Sequence, residues 1–128
     1  MDELHRRLHE RGYTDIRPGH GCVFRFIDDD GTRLTELAER SGLTKQAVGE
    51  VVADLEELGY VERVPDPADR RAKTIVLTRR GRDALAAGRQ IFVDIEQRWI
   101  EEFGEERMAQ LRQTAEMLVD LERGALPA

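Results

Sequence analysis

Apolar residues recur every three or four positions along most of the chain, and the intervals between these runs carry glycine, proline or acidic turns. Leu4 and Leu8 mark one face of a short helix over residues 2–11, which Gly12 ends. After Pro18 a second helix is expected over 19–27, with Val23, Phe24, Phe26 and Ile27 as its apolar positions. Asp28-Asp29-Asp30-Gly31 reads as a solvated turn. A third helix, 32–40, turns Leu34, Leu37 and Ala38 inward and breaks at Ser41-Gly42. The Thr44 hydroxyl can accept from a free first-turn N–H and so opens a fourth helix. Its stripe is Val48, Val51, Val52, Leu55 and Leu58, and Gly59 is its stop.

The period then changes. Residues 60–64 have strand composition, and Pro65-Asp66-Pro67-Ala68-Asp69 is expected to end the strand because proline donates no ladder hydrogen bond. Residues 74–77 return, with Ile75 and Leu77 on one face, so the pair makes a β-hairpin with a long charged tip. Thr78 is a second N-cap, opening a long helix from Arg79 to about Phe103. Within it Leu85, Phe92 and Trp99 repeat at a heptad interval, with Ile95 between them, as a packing seam does. Gly104 breaks the chain, and a last helix over 105–122 carries Met108, Leu111, Ala115 and Leu118.

Helix, helix, turn, helix and hairpin in that order predict a mainly α winged helix-turn-helix with a two-stranded β wing. The fourth helix would be the recognition helix, whose first residues reach base edges in the major groove. Opposite its apolar stripe lie Lys45, Gln46, Gly49 and Glu50, just after the Thr44 cap. Gln46 can bond adenine bidentately, and Lys45 can reach guanine or phosphate. Gly49 costs roughly 1 kcal/mol relative to alanine inside a helix, a cost that fits a close backbone approach there. The charge of Glu50 would repel phosphates.

The net charge of −6 argues against nucleic-acid binding until its distribution is considered. Between Tyr60 and Arg82 the balance is +4, from Arg63, Arg70, Arg71, Lys73, Arg79, Arg80 and Arg82 against Glu62, Asp66 and Asp69. Between Asp94 and Arg123 it is −5. An acidic body with a local basic segment suits a protein that touches DNA with one part only. The single cysteine, Cys22, excludes an internal disulfide framework. No apolar run nears the roughly 20 residues that span a bilayer, and the charged start does not resemble a signal peptide, so a cytoplasmic protein without membrane contact is expected. Three histidines and one cysteine leave little material for catalysis, so neither an enzyme nor a cofactor is expected. His5 and His9, four apart, have metal-binding spacing but no recognisable further ligands and read as surface histidines. Cys22 reads as an inert, small apolar residue.

From Leu34 to Gly81 the chain resembles the MarR (multiple antibiotic resistance regulator) family. The segment Asp66-Pro67-Ala68-Asp69-Arg70-Arg71, followed by a strand and then Leu77-Thr78-Arg79-Arg80-Gly81, carries the resemblance, which continues through both C-terminal helices. It implies that Asp69 orients the wing arginines Arg70 and Arg71, with Lys73 beside them, and that Arg71 enters the minor groove. A narrow minor groove does concentrate the negative potential that attracts arginine. Arg79 and Arg80, at a helix start where cations oppose the dipole, are candidate phosphate contacts.

The resemblance also implies a single domain over 1–128, with a DNA-binding lobe at 19–81 and a helical dimerisation region at 1–12 and 82–123. The expected function is a ligand-responsive repressor that binds an inverted-repeat operator in double-stranded DNA as a homodimer, with a small-molecule effector of unspecified identity. The rival reading is a winged-helix module that binds protein instead of DNA. Two features depart from the family pattern: the first helix is short, and Gly49-Glu50 stands where many relatives have a small polar residue followed by arginine.

Overall fold

The computed structural model describes residues 2–125 and falls into two compact units, Met1–Ile91 and Phe92–Ala128. The first unit opens with α1 (Glu3–Glu10). Asp2 caps it, its carboxylate accepting from the His5 backbone N–H at 3.0 Å and meeting the His5 ring Nδ1 at 2.8 Å. The buried face of α1 is therefore His5 and Leu8, not Leu4 and Leu8, and His5 is not a surface histidine.

A 3-10 turn (Pro18–His20) leads into α2 (Gly21–Phe24). The helix expected over 19–27 is thus a single short turn. Gly19 and Gly21 weaken helix formation here, and Ile27 reaches the core from the loop that follows. Buried His20 closes this segment, with Nδ1 accepting from the Arg17 N–H at 3.0 Å and Nε2 2.6 Å from Asp54.

Residues 32–33 are not helical. They form β1 (Thr32–Arg33), and α3 (Leu34–Ser41) begins only after it. Next come α4 (Lys45–Glu57), β2 (Val61–Pro65) and β3 (Lys73–Leu77). The wing sheet consequently has three strands, antiparallel and ordered β1-β3-β2, where two were expected. Thr32 pairs with Ile75, and Val61 with Leu77. Pro65 belongs to β2, opposite Lys73. It is tolerated there because β2 is an edge strand, with no neighbour on its far side to miss the N–H.

Thr44 caps α4 as its sequence predicts, accepting from the Ala47 N–H at 3.1 Å. Val48, Val52 and Leu55 are fully buried, while Val51 and Leu58 are only half-buried at the edges of the stripe. Gly59, at φ +87°, takes the left-handed turn that sends the chain into β2. Leu37, Tyr60, Ile75, Leu77, Ala84 and Ile91 complete the core beneath the sheet and helices.

The helix α5 (Arg79–Phe103) begins at Thr78, whose Oγ1 accepts from the Gly81 N–H at 3.1 Å and donates to the Gly59 carbonyl at 2.6 Å. Gly81 has to be small. A Cβ there would lie 2.0 Å from the Tyr60 carbonyl oxygen, a contact no side chain can make.

The second unit holds the end of α5 and α6 (Glu105–Ala125), with an ion pair between Arg112 and Glu96. Gly104, at φ +90°, separates the two helices. Phe92 is 57% exposed and Trp99 45%, and Leu111, Met117, Leu118 and Leu121 are also exposed.

Candidate nucleic-acid interface

The side chains of Lys45, Gln46 and Glu50 are solvent-exposed at the start of α4, as is Thr44 at the cap. Burial of Val48 and Val52 on the opposite side fixes which face is free, so the helical period itself presents these residues outward. Gly49 is half-buried, and a Cβ there would meet only Leu34 Cδ2 at 3.8 Å, an ordinary contact. Among the described residues nothing therefore requires glycine at this position.

The wing tip is ordered by two carboxylates. Asp66 is almost wholly buried. One of its oxygens accepts from the backbone N–H groups of Ala68 at 2.8 Å and Asp69 at 3.2 Å. The other accepts from the Thr74 hydroxyl at 2.9 Å and from Arg33 Nε at 2.8 Å. The Arg33 guanidinium, followed by these further donors, holds the Asp66 carboxyl far below the usual carboxylate range. Asp69 accepts from the Arg71 backbone N–H at 3.0 Å, so its contact is with the main chain that carries the arginine. The Asp66 N–H to Ala72 carbonyl bond, at 3.1 Å, closes the loop. On this frame Arg70, Arg71 and Lys73 stand exposed.

Sequence reasoning missed Asp66 and Arg33. An aspartate just before proline is a turn signal, because its side chain can bond the backbone two residues on. Nothing in the sequence, however, indicates that an arginine 33 positions earlier supplies the partner.

The two helix-start arginines differ. Arg79 is exposed. Arg80 is engaged inside the unit: its guanidinium donates to Asp15 at 2.9 Å and to the Tyr60 hydroxyl at 3.0 Å, and its Cζ lies 4.6 Å from the centre of the Tyr60 ring. Tyr60 in turn donates to Asp15. Arg80 thus clamps the segment after α1 to the start of α5.

Among the described residues no group of histidines, cysteines and acids is arranged to hold a metal. Burial pushes the Cys22 thiol up, away from the thiolate form. No described helix is long and apolar enough to cross a membrane.

A helix-turn-helix followed by a basic, internally braced hairpin defines a winged helix-turn-helix protein. Residues 14–72 match the sequence profile of the MarR family, and the chain is similar to regulators of that family. The transcriptional regulator HosA of Escherichia coli O111:H- is 34% identical over 71 residues, which are 56% of this chain and 53% of HosA. The chain thus spans about half the length of the curated relatives it matches. S. aureus MepR bound to ethidium bromide aligns over 93% of this chain and 89% of its own, at 25% identity and a TM-score of 0.67. A MepR variant bound to an oligodeoxyribonucleotide aligns over 93% and 87%, also at 25% identity, with a TM-score of 0.65.

Proposed function

We propose that the protein is a transcription regulator that binds duplex DNA as a homodimer, with residues 44–50 in the major groove and the 65–73 wing in an adjacent minor groove. The observation that carries this reading is the pairing, in one compact unit, of an exposed recognition-helix start with a wing tip braced from within. Loops that merely face water need no buried carboxylate with four donors. Here Asp66 and Asp69 fix the backbone from which Arg70 and Arg71 project, and a preorganised cation is what minor-groove insertion requires. The likeness to a MepR variant bound to an oligodeoxyribonucleotide supports the same reading.

In this reading Gln46 and Lys45 read base edges, Arg71 enters the minor groove, and Arg70, Lys73 and Arg79 contact phosphates. Gly49 keeps the helix backbone close to the groove. Arg80 serves the fold instead, since its guanidinium is already engaged. The helical regions 1–12 and 82–123 serve dimerisation, and the apolar side chains exposed between 92 and 121 supply surface for contact with a second copy. The protein acts as a repressor in the cytoplasm. A small molecule relieves repression by binding one of two dimer conformations more tightly than the other; the likeness to MepR bound to ethidium bromide supports a small-molecule ligand.

Selection from a random duplex library tests the reading. A two-fold dimer selects an inverted repeat whose half-sites lie about 10–10.5 bp apart, centre to centre. Recovery of no enriched sequence, together with capture of a protein partner through the wing, would favour the protein-binding alternative.

A further inference from the structure

A cleft of about 250 Å³ opens between α4 and the wing. Five cations line it: Arg33 from β1, Lys45 from the first turn of α4, and Arg63, Arg71 and Lys73 from the hairpin. Arg33 is neutralised by Asp66 at 2.8 Å. Arg63 is only loosely paired, 3.6 Å from Glu56. Lys45, Arg71 and Lys73 have no ion-pair partner among the described residues. So much unneutralised positive charge around one small cleft is costly in the free protein and favours an anion.

A second feature points the same way. The α3 helix starts at this cleft, where Thr35 lines it, and its N-cap residue, Arg33, supplies no side-chain acceptor. The first-turn N–H groups of α3, which have no partner in the helix, are thus left uncapped beside three unpaired cations and the loosely paired Arg63.

The geometry of duplex DNA supplies the anion. A major groove and its neighbouring minor groove are separated by one phosphodiester strand. If α4 occupies the first and the wing tip the second, that strand has to cross between them, which is where the cleft lies. We infer that the cleft is a seat for one backbone phosphate of the bound duplex, held by Arg63 and Lys73 with the uncapped start of α3. The inference rests on the DNA-binding reading and extends it to Arg33 and Thr35, which the sequence did not single out, and to Arg63, which it counted only in the charge of the 60–82 segment. Arg33 is a positioning residue here, since Asp66 already engages it. Arg63 carries the seat: it stands on β2 and lines the cleft beside Lys45 and Arg71, and the DNA-binding reading gives it no other role.

The test uses the full chain and a duplex chosen by library selection, with single phosphates replaced in turn by neutral methylphosphonates. For the wild type, neutralising one phosphate per half-site is expected to weaken binding about tenfold. Arg63→Ala weakens binding to the unmodified duplex by a similar factor and makes the slope of log K against log salt shallower by about 1. On the duplex lacking that phosphate, Arg63→Ala binds as the wild type does, because the two changes remove one contact. Arg63→Gln and Lys73→Ala, checked for native circular dichroism, repeat the comparison should Arg63→Ala fold poorly.

Losses that multiply at every position would overturn the seat while leaving DNA binding intact. So would unchanged affinity for Arg63→Ala and Lys73→Ala. A wild type that binds no duplex at low salt would overturn the DNA-binding reading and the seat together.

Discussion

Gly81 shows how one residue can be fixed by its neighbour's backbone. It closes the Leu77-Thr78-Arg79-Arg80-Gly81 motif that marks the end of the wing, and the structure gives the reason. The α5 helix starts against Tyr60, whose carbonyl accepts from the Thr78 N–H at 3.0 Å and leaves no room for a Cβ one helical turn on. The sequence displayed the glycine without its cause, because the cause lies 21 positions away in β2's approach. Gly81→Ala forces the helix start off the sheet. We expect a loss of about 3 kcal/mol in urea unfolding, the upper end of the usual overpacking range. Gly49→Ala is the control, since its Cβ would meet an ordinary contact. Alanine's helix preference should raise stability by a few tenths of a kcal/mol up to about 1 kcal/mol. Gly49→Ala should also weaken DNA binding if the groove lies close to the α4 backbone. Equal stability for wild type and Gly81→Ala would contradict the packing argument.

At the scale of the element, helices with local signals were legible. Thr44 and Thr78 announce their helices by capping chemistry that acts within three residues, and the structure has both caps. Elements made by distant partners were not. β1 is only Thr32–Arg33, too short for any period, and it exists because β3 offers Ile75 and Thr74 to pair with. Its residues therefore read as the start of the following helix. The apolar cluster at 23–27 suggested a full helix for a similar reason: burial of Val23 and Ile27 looks alike in the sequence whether a helix or a loop delivers them.

The wing itself was legible as a hairpin, but its brace was not. Asp66 is held ionised by Arg33 and by N–H and O–H donors, so its carboxyl is depressed in the folded protein. A depressed carboxyl contributes stability that is fully present above the unfolded value of about 3.9 and is lost as pH falls through the lower folded value. Wing order should thus hold at neutral pH and fail only in strong acid. Asp66→Asn removes the charge at all pH values. The amides of Ala68 and Asp69 should then exchange faster with solvent at pH 7, and those of the α4 interior should not. Unchanged exchange at the tip would show that the backbone turn orders itself without Asp66.

Across the whole molecule, charge and apolar surface are segregated. The basic residues cluster between 60 and 82, and the acidic excess lies beyond 94. The second unit exposes Phe92, Trp99, Phe103, Leu111, Met117, Leu118 and Leu121, more large apolar side chains than two solvated helices ordinarily leave bare. The heptad interval of Phe92 and Trp99 was visible in the sequence, but a pattern of this kind does not say whether the same chain or a second copy covers it. We expect sedimentation of a dimer at micromolar concentration, with Phe92→Glu and Trp99→Glu shifting it toward monomer. A wild-type monomer would remove the two-fold basis for an inverted-repeat operator.

The central claim is that α4 and the wing touch DNA in different ways, and fluorescence anisotropy across a salt series tests it most directly. The titrations compare wild type, Arg71→Ala and Gln46→Ala on the selected operator and on a random duplex. Arg71→Ala should weaken both duplexes and make the slope of log K against log salt shallower by about 1, because a cation leaves the interface. Gln46→Ala should cost about 1–3 kcal/mol on the operator, spare the random duplex and keep the slope, because only a base contact is lost. If Arg71→Ala leaves every curve unmoved, the wing does not touch DNA and the account fails at its centre.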